Sequence, residues 1–223
     1  MLRLENRPAL LEQVYDTIKH AIITGDLAPS TALAQEALAA QRGVSRQPIS
    51  HALLLLEKDG LVVEKGKKGR MVAPINRDKL RQLYQMRAAL DGLAASLCAG
   101  QLNRDQLACL RDELKRGFSA AENRDITQMV AADTAFHQTI YSYSGNPEIF
   151  SALGLGWPHM LRAMYIVLSA HPHPYQIWDE HEQIVDAIET GSAEQARAAA
   201  TGHAERSGQT TFENIAEELS CSA

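Results

Sequence analysis

Residues 43–73 read GVSRQPISHALLLLEKDGLVVEKGKKGRMVA, and this stretch carries the signals of a tight turn, an amphipathic helix and a basic hairpin. Gly43 suits a turn that needs a positive φ, and Ser45 after it can cap a helix through its hydroxyl. Apolar residues then recur at helical spacing until Gly60. These inward positions are Ile49, Ala52, Leu53 and Leu56.

Two β-type runs, 61–64 and 71–73, follow this helix and enclose the basic tip KGKKGR at 65–70. Upstream, a first helix ends at Gly25 and a short second helix spans about 34–41. The first helix has an apolar face made of Leu10, Val14, Ile18 and Ile22. The order helix, short helix, turn, helix and hairpin predicts a winged helix-turn-helix.

Polar and basic side chains stand where such a module meets DNA. Arg46, at the start of the third helix, can reach a guanine edge or a phosphate, and its neighbours offer shorter hydrogen bonds. The hairpin tip would attract phosphates. The candidate DNA-binding residues are Ser45, Arg46, Gln47, Ser50, Lys67, Lys68, Gly69 and Arg70. A small helical bundle with a solvated basic loop is the alternative interpretation.

These motifs resemble the GntR family of bacterial transcription regulators over nearly all of residues 10–73. The similarity is carried by Tyr15-x-x-Ile18, Gly25-x-Leu27-x-Pro29, Leu38-Ala39, the run 43–49 and the pattern from Ala52 to Val62. The chain departs from the family at Ser50, where Arg is usual, and at His51, where an acidic residue is common. The resemblance implies binding to operator DNA, and the departures leave the operator sequence open.

Composition describes an ordinary globular chain of 223 residues, with 45% hydrophobic and 22% charged residues. Its three cysteines form no Cys-x-x-Cys pair, which argues against a disulfide scaffold or a zinc finger. No apolar run approaches the ~20 residues of a membrane span, and the N-terminus lacks the apolar core of a signal peptide. We therefore expect a cytoplasmic protein with no membrane partner.

Charge divides the chain unevenly. Residues 1–76 carry ten basic and eight acidic side chains, a net charge of +2, whereas the rest carries 12 basic and 19 acidic ones, a net charge of −7. This asymmetry suggests two domains with different partners. We predict a winged helix-turn-helix domain over 1–75 and an all-α effector-binding and dimerisation domain over 76–223.

The second domain shows only helical patterns, separated by glycine, asparagine and proline. The helices are predicted over 78–99, 104–122, 126–144, 148–169, 175–190 and 193–219. The predicted fold class is therefore mostly α, with an antiparallel bundle of about six helices after the winged module. Bundles of this kind keep ligand and metal sites in their interiors.

Four polar side chains interrupt apolar helical faces in this domain. Asp133 and His137 are spaced i, i+4, which brings a carboxylate and an imidazole together in an arrangement suited to chelation. His181 interrupts an apolar stripe on a second helix, and His203 lies on the packed side of the last helix. Such a set would suit zinc, nickel, manganese or iron. Hydrogen-bonded core histidines, with Asp133–His137 as an intrahelical pair, are the alternative.

The same positions resemble the effector-binding FCD domain of FadR-type GntR regulators. The similarity covers about residues 78–210 and rests on Asp133-x-x-Phe136-His137, the Gly145-Asn146 turn, His181-x-x-Ile184 and His203. That domain is an all-α bundle that often binds a metal through one Asp and three His. The resemblance implies a divalent metal at Asp133, His137, His181 and His203, with zinc as the first choice.

Arg87 falls within the apolar stripe of the helix 78–99. A guanidinium on such a face needs an anion, because its burial without one is costly. The anion is either a protein carboxylate, such as Asp91 at i+4, or a small-molecule carboxylate that also binds the metal. Related domains use an Arg near this place in Tyr84-x-x-Arg87, which favours the ligand. Arg162 is a second candidate for ligand binding.

These features predict a ligand-responsive, DNA-binding transcription regulator, and we expect a repressor. It would bind a two-fold operator as a homodimer and respond to a small organic acid in the bundle. One alternative is a metal-dependent enzyme, although no additional general base or nucleophile is evident. Another is an architectural DNA-binding protein whose metal is purely structural.

Overall fold

Helices form most of the structure in residues 8–66, 69–170 and 175–221, the part of the chain that the computed structural model describes. The predicted mostly α class is confirmed. Contacts divide the chain into two units, Met1–Ile75 and Asn76–Ala223. Two candidate DNA-binding residues, Lys67 and Lys68, lie outside the described residues.

The N-terminal unit has three helices and a two-stranded antiparallel sheet. Their bounds are α1 Pro8–Thr24, α2 Gln35–Arg42, α3 Arg46–Lys58, β1 Val62–Lys65 and β2 Gly69–Val72. The sheet formed by β1 and β2 is the wing of the module, and segment 30–33 extends it. Leu33 N–H donates to the Arg70 carbonyl, and Val72 N–H donates to the Thr31 carbonyl. This segment covers the outer edge of β2, an edge that would otherwise expose unpaired backbone groups.

An apolar core joins α1, α3 and the wing. Ile18, Ile22, Ile49 and Leu53 are fully buried in it, as the helical periodicity predicts. Leu10 is an exception, because it lies in the first turn of α1 with 48% of its surface exposed. Leu10 therefore does not belong to the buried face that Val14, Ile18 and Ile22 form.

The turn before α3 has the predicted shape but not the predicted hydrogen bond. Gly43 adopts a left-handed conformation with φ 64°, which an L side chain rarely tolerates. Ser45 occupies the N-cap position with extended backbone, yet its hydroxyl accepts no hydrogen bond from the helix. The side chain is therefore available at the surface, where it is exposed.

The second unit is a bundle of seven helices within the described residues. They are α4 Arg77–Cys98, α5 Arg104–Glu122, α6 Ile126–Tyr143, α7 Pro147–Leu153, α8 Trp157–Ala170, α9 Tyr175–Thr190 and α10 Ala193–Cys221. α10 packs along α4 and α9, and α5 packs against α6 and α9. The turns between α5 and α6 and between α9 and α10 are short, so each of these pairs is an antiparallel hairpin.

One predicted helix, 148–169, is two helices in the structure. The chain breaks at Gly154-Leu155-Gly156, between α7 and α8. A Cβ on Gly156 would lie 2.5 Å from Leu83 Cδ2 on α4. A side chain at this position would therefore require Leu83 to move.

Gly117 on α5 meets a similar constraint against Trp178, which is buried. A Cβ there would lie 2.1 Å from the Trp178 ring, so we expect Gly117→Ala to destabilise the bundle unit by about 1–3 kcal/mol through overpacking. Gly154→Ala is the matched control, because its Cβ would make only ordinary contacts at a helical φ of −53°. Both tryptophans, Trp157 and Trp178, lie in this unit, so their fluorescence during urea unfolding measures it alone. Equal midpoints for the two variants would contradict the clash.

Candidate metal centre and DNA-binding module

The start of α3 presents polar side chains at the surface. Ser45, Arg46 and Gln47 are exposed, and Ser50 is half-buried. Arg46 Nη1 lies 3.0 Å from Glu36 Oε1 in an ion pair whose side chains are both more than half exposed. Because exposed pairs of this kind contribute little free energy, Glu36 does not prevent Arg46 from pairing with another acceptor.

Arg70 of the wing has a less exposed ion pair than Arg46. Arg70 Nε donates to Glu57 Oε2 over 2.9 Å, and only 19% of the Arg70 side chain is exposed. Arg70 therefore links β2 to α3, a role that its position in a basic tip did not reveal. Gly69 is exposed beside it. Of the predicted DNA-binding set, the structure groups the α3 residues at one helix end and gives Arg70 an internal partner.

Four predicted metal ligands converge inside the bundle. Asp133 and His137 come from α6, His181 from α9 and His203 from α10, and all four are buried. One ligand atom from each lies within 4.8 Å of all the others. Two ligands on opposite sides of an ion with ~2.1 Å bonds are about 4.2 Å apart, so small side-chain adjustments suffice to bind one cation.

The converging atoms are identifiable from the distances. His181 Nε2 lies 3.1 Å from His203 Nε2 and 3.6 Å from Asp133 Oδ1. His137 Nε2 lies 3.7 Å from the same Asp133 oxygen. The i, i+4 spacing on α6 therefore brings one carboxylate and one imidazole together, as predicted.

Burial shifts the pKa values of these side chains. Desolvation, then the nearby positive charge of Arg87, lowers the pKa of His137, and desolvation followed by His203 lowers that of His181. Both imidazoles are thus neutral, which is the protonation state in which an imidazole can coordinate a cation. Burial raises the pKa of Asp133, while Arg87 opposes that rise. Asp133 Oδ2 and His137 Nε2 are buried without hydrogen-bond partners, a deficiency that a bound cation would remove.

Arg87 has the internal partner that the sequence offered as one of two possibilities. Its Nε donates to Asp91 Oδ2 over 3.2 Å, and both side chains are at most 3% exposed. Tyr141 also donates to Asp91, and His137 Nδ1 lies 3.5 Å from the same carboxylate. At the other end of the guanidinium, Arg87 Nη2 is buried and has no hydrogen-bond partner. The guanidinium therefore keeps capacity for a second anion.

A cavity of about 300 Å³ has both Arg87 and one of the four candidate metal ligands, Asp133, in its wall. Tyr84 and Thr211 lie on the polar side, where their hydroxyls are 3.3 Å apart. Four apolar side chains also contribute to the wall: Met164, Val167, Leu168 and Ile177. A site with a charged end and an apolar side suits a small amphipathic anion.

Arg162 does not line this cavity. It is buried on α8 with 2% exposure, its Nε and Nη2 have no partner, and burial lowers its pKa to about 10. Two cavity residues that the sequence did not suggest are Glu180 and Arg206, which are paired with each other over 2.6 Å. Their partnership joins α9 to α10 and has no local sequence signal.

Comparison with known families decides the class of the protein. The family of bacterial regulatory proteins called gntR matches residues 10–72, and the FCD domain matches residues 82–206. The chain belongs to the gntR family, FCD type. Members of this family are transcription regulators that bind operator DNA, so this gntR-family chain is a DNA-binding regulator and not an enzyme.

Curated relatives match most of this gntR-family chain. An HTH-type transcriptional regulator in an unstable DNA locus of Streptomyces ambofaciens is 28% identical over 190 residues, covering 85% of this chain and 80% of its own. A Paenarthrobacter nicotinovorans protein, the "Probable D-xylose utilization operon transcriptional repressor", is 27% identical over 201 residues, covering 88% and 86%.

Solved structures share the fold. Escherichia coli McbR superposes with a TM-score of 0.79 at 22% identity, over 96% of this chain and 100% of McbR. A GntR regulator from Rhodococcus gives a TM-score of 0.80 at 20% identity, over 92% and 98%. At these identities the superpositions establish the fold alone.

Among the described helices, none combines the length and the hydropathy needed to span a membrane.

The buried Arg87–Asp91 pair predicts a large asymmetry between two aspartates of α4. In metal-free protein, Asp91→Ala leaves the Arg87 charge buried and less compensated, so we expect a loss of about 3–5 kcal/mol in the free energy of unfolding. Asp78→Ala removes the partner of the exposed Arg81 and should cost less than about 1 kcal/mol. Urea unfolding followed by tryptophan fluorescence measures both. Similar losses would show that Asp91 does not compensate Arg87.

Proposed function

We propose that the protein is a metal-containing, organic-acid-responsive repressor that binds a two-fold operator as a homodimer. The observation that carries this proposal is the group of four buried ligand residues beside a cavity whose wall holds Arg87 with a free Nη2. The repressor assignment draws support from the Paenarthrobacter relative, whose description names a repressor.

Asp133, His137, His181 and His203 would hold the metal. One carboxylate and three neutral imidazoles fit zinc, and nickel, manganese or iron are the alternatives that accept the same donors. When bound, the ion supplies a positive centre that can accept a ligand oxygen. In the same wall, Arg87 would orient an acid through Nη2 while Asp91 keeps its Nε in place.

The effector would be a small carboxylate with a hydrocarbon portion. Its charged end would meet Arg87, and its apolar part would pack on Met164, Val167 and Leu168. Binding would then favour one conformation of the regulator over another and change its affinity for the operator. Arg162 lies outside the wall of this cavity, and its unpaired Nε and Nη2 keep it as a second proposed anion-binding residue, separate from Arg87.

Exposed apolar side chains on α4 and near α7 support a homodimer. Met86 and Leu97 of α4 are exposed, as are Phe150 of α7 and Leu155 in the turn after it, which is 71% exposed. α4 and α7 contact each other, and these exposed side chains on them would supply apolar area to a second copy. Sedimentation velocity measures the mass, and a purely monomeric chain at micromolar concentration would contradict the dimer.

The DNA-binding role of α3 is tested with Arg46→Ala. Using duplexes selected by the wild-type protein from a random pool, we expect affinity to fall about 5- to 150-fold, since a base or phosphate contact contributes roughly 1–3 kcal/mol. Arg81→Ala removes an equally exposed charge from the bundle unit and serves as the control. Fluorescence anisotropy measures both, and equal affinities for the two variants would remove Arg46 from the interface.

The effector hypothesis is tested by thermal shift. Zinc-loaded and EDTA-stripped proteins are screened with small carboxylates, and a true effector raises the melting temperature because it binds only the folded state. We expect hits that require zinc, that fail as their uncharged carboxamides and that are lost in His181→Ala. Stabilisation by zinc alone, with no acid active across the panel, would instead indicate a structural ion.

A further inference from the structure

Each histidine of the metal cluster has a second ring nitrogen, and these outer nitrogens have very different surroundings. His203 Nδ1 lies 2.9 Å from Glu180 Oε2. His137 Nδ1 lies 3.5 Å from Asp91, and His181 Nδ1 is buried without a partner. His203 therefore makes the closest outer contact with a carboxylate among the three.

Glu180 is itself held on its other oxygen. Arg206, one turn after His203 on α10, donates from Nε to Glu180 Oε1 over 2.6 Å. The Glu180 side chain is only 11% exposed although Arg206 is more than half exposed. The carboxylate thus lies between an arginine at the cavity and the imidazole of a metal ligand, with one oxygen for each.

This contact selects the tautomer of His203. An ionised carboxylate only accepts hydrogen bonds, so His203 must carry a proton on Nδ1 to pair with Glu180. Its Nε2 then has a free lone pair, and this atom faces His181 Nε2 at 3.1 Å. In the metal-free protein His181 Nε2 is the donor of that contact, which leaves His181 Nδ1 as an unprotonated acceptor. This assignment agrees with the absence of any hydrogen bond at His181 Nδ1, because a proton on that buried nitrogen would be a donor without an acceptor.

We infer that Glu180 is the positioning residue of the metal centre: it holds His203 in the Nδ1–H tautomer with Nε2 directed at the cation, and Arg206 holds Glu180. The inference rests on the proposed metal site. Carboxylates behind a ligating imidazole orient the ring and raise its basicity, and their loss typically weakens metal binding 10- to 100-fold. Glu180 and Arg206 act through His203 and do not bind the ion.

The first measurement needs no metal. Long-range ¹H–¹⁵N correlation spectra of histidine-labelled, metal-free protein give the tautomer of each ring, with His203→Asn identifying the His203 signals. We expect the Nδ1–H form of His203 in the wild type and a shift toward the Nε2–H form in Glu180→Ala. Glu180→Gln keeps an oxygen that can accept and should retain much of the Nδ1–H form.

The second measurement is Zn²⁺ affinity by competition with a chromophoric chelator. Glu180→Ala should bind about 10- to 100-fold more weakly, Glu180→Gln should recover part of that loss, and Arg206→Met should show a smaller loss. The control is Glu182→Ala, which removes an exposed carboxylate of the same helix that pairs only distantly, at 4.0 Å, with Arg111. Its zinc affinity should match the wild type.

Two results would overturn the inference. One is a wild-type His203 with its proton on Nε2, and the other is equal zinc affinity in Glu180→Ala and Glu182→Ala. If no variant binds zinc but the tautomer follows Glu180, the metal centre fails while the positioning of His203 stands. If Glu180→Ala does not fold by tryptophan fluorescence, Glu180→Gln against Glu182→Gln supplies the same comparison.

Discussion

The bundle unit depends on mutual compensation among polar side chains that are almost completely removed from water. Arg87 and Asp91 neutralise each other, Tyr141 satisfies a further position on Asp91, and His137 is kept neutral by desolvation. Each of these groups would be costly to bury alone. Three buried atoms at this site have no hydrogen-bond partner: Arg87 Nη2, Asp133 Oδ2 and His137 Nε2. The proposed cation and acid are the ligands whose charges would complete the compensation, so the same arrangement that limits stability defines the binding site.

The two units differ in where they place their charged side chains. In the described part of the chain, the buried charged residues all belong to the bundle unit, whereas the core of the winged unit is made of apolar side chains. The winged unit keeps Arg46 at the surface, where its proposed partner is a large polyanion, and the bundle keeps Arg87 inside, where its proposed partner is a small anion. This division explains how one chain with a net charge of −5 can contain a DNA-binding module.

Much of the fold and most of the proposed site could be predicted from local patterns. Helical periodicity indicated nearly all helix positions, and the i, i+4 pair Asp133–His137 indicated a chelating face. The break between α7 and α8 was missed although Gly154 and Gly156 stand there, because glycine inside a helical pattern is tolerated as often as it ends a helix. Local sequence also placed Arg70 among free phosphate ligands, whereas the fold pairs it with Glu57.

Periodicity, turn residues and i, i+4 spacing act within one or two turns, so they sufficed to predict the helices, the winged module and the residue types available as ligands. Tertiary structure alone decided which partners these side chains obtained. In the folded chain Arg87 Nε pairs with Asp91, Arg87 Nη2 has no partner, and Glu180 lies beside His203. Residues 23 positions apart on two helices meet only when the packing and register of α9 against α10 align them, and no local pattern specifies that register.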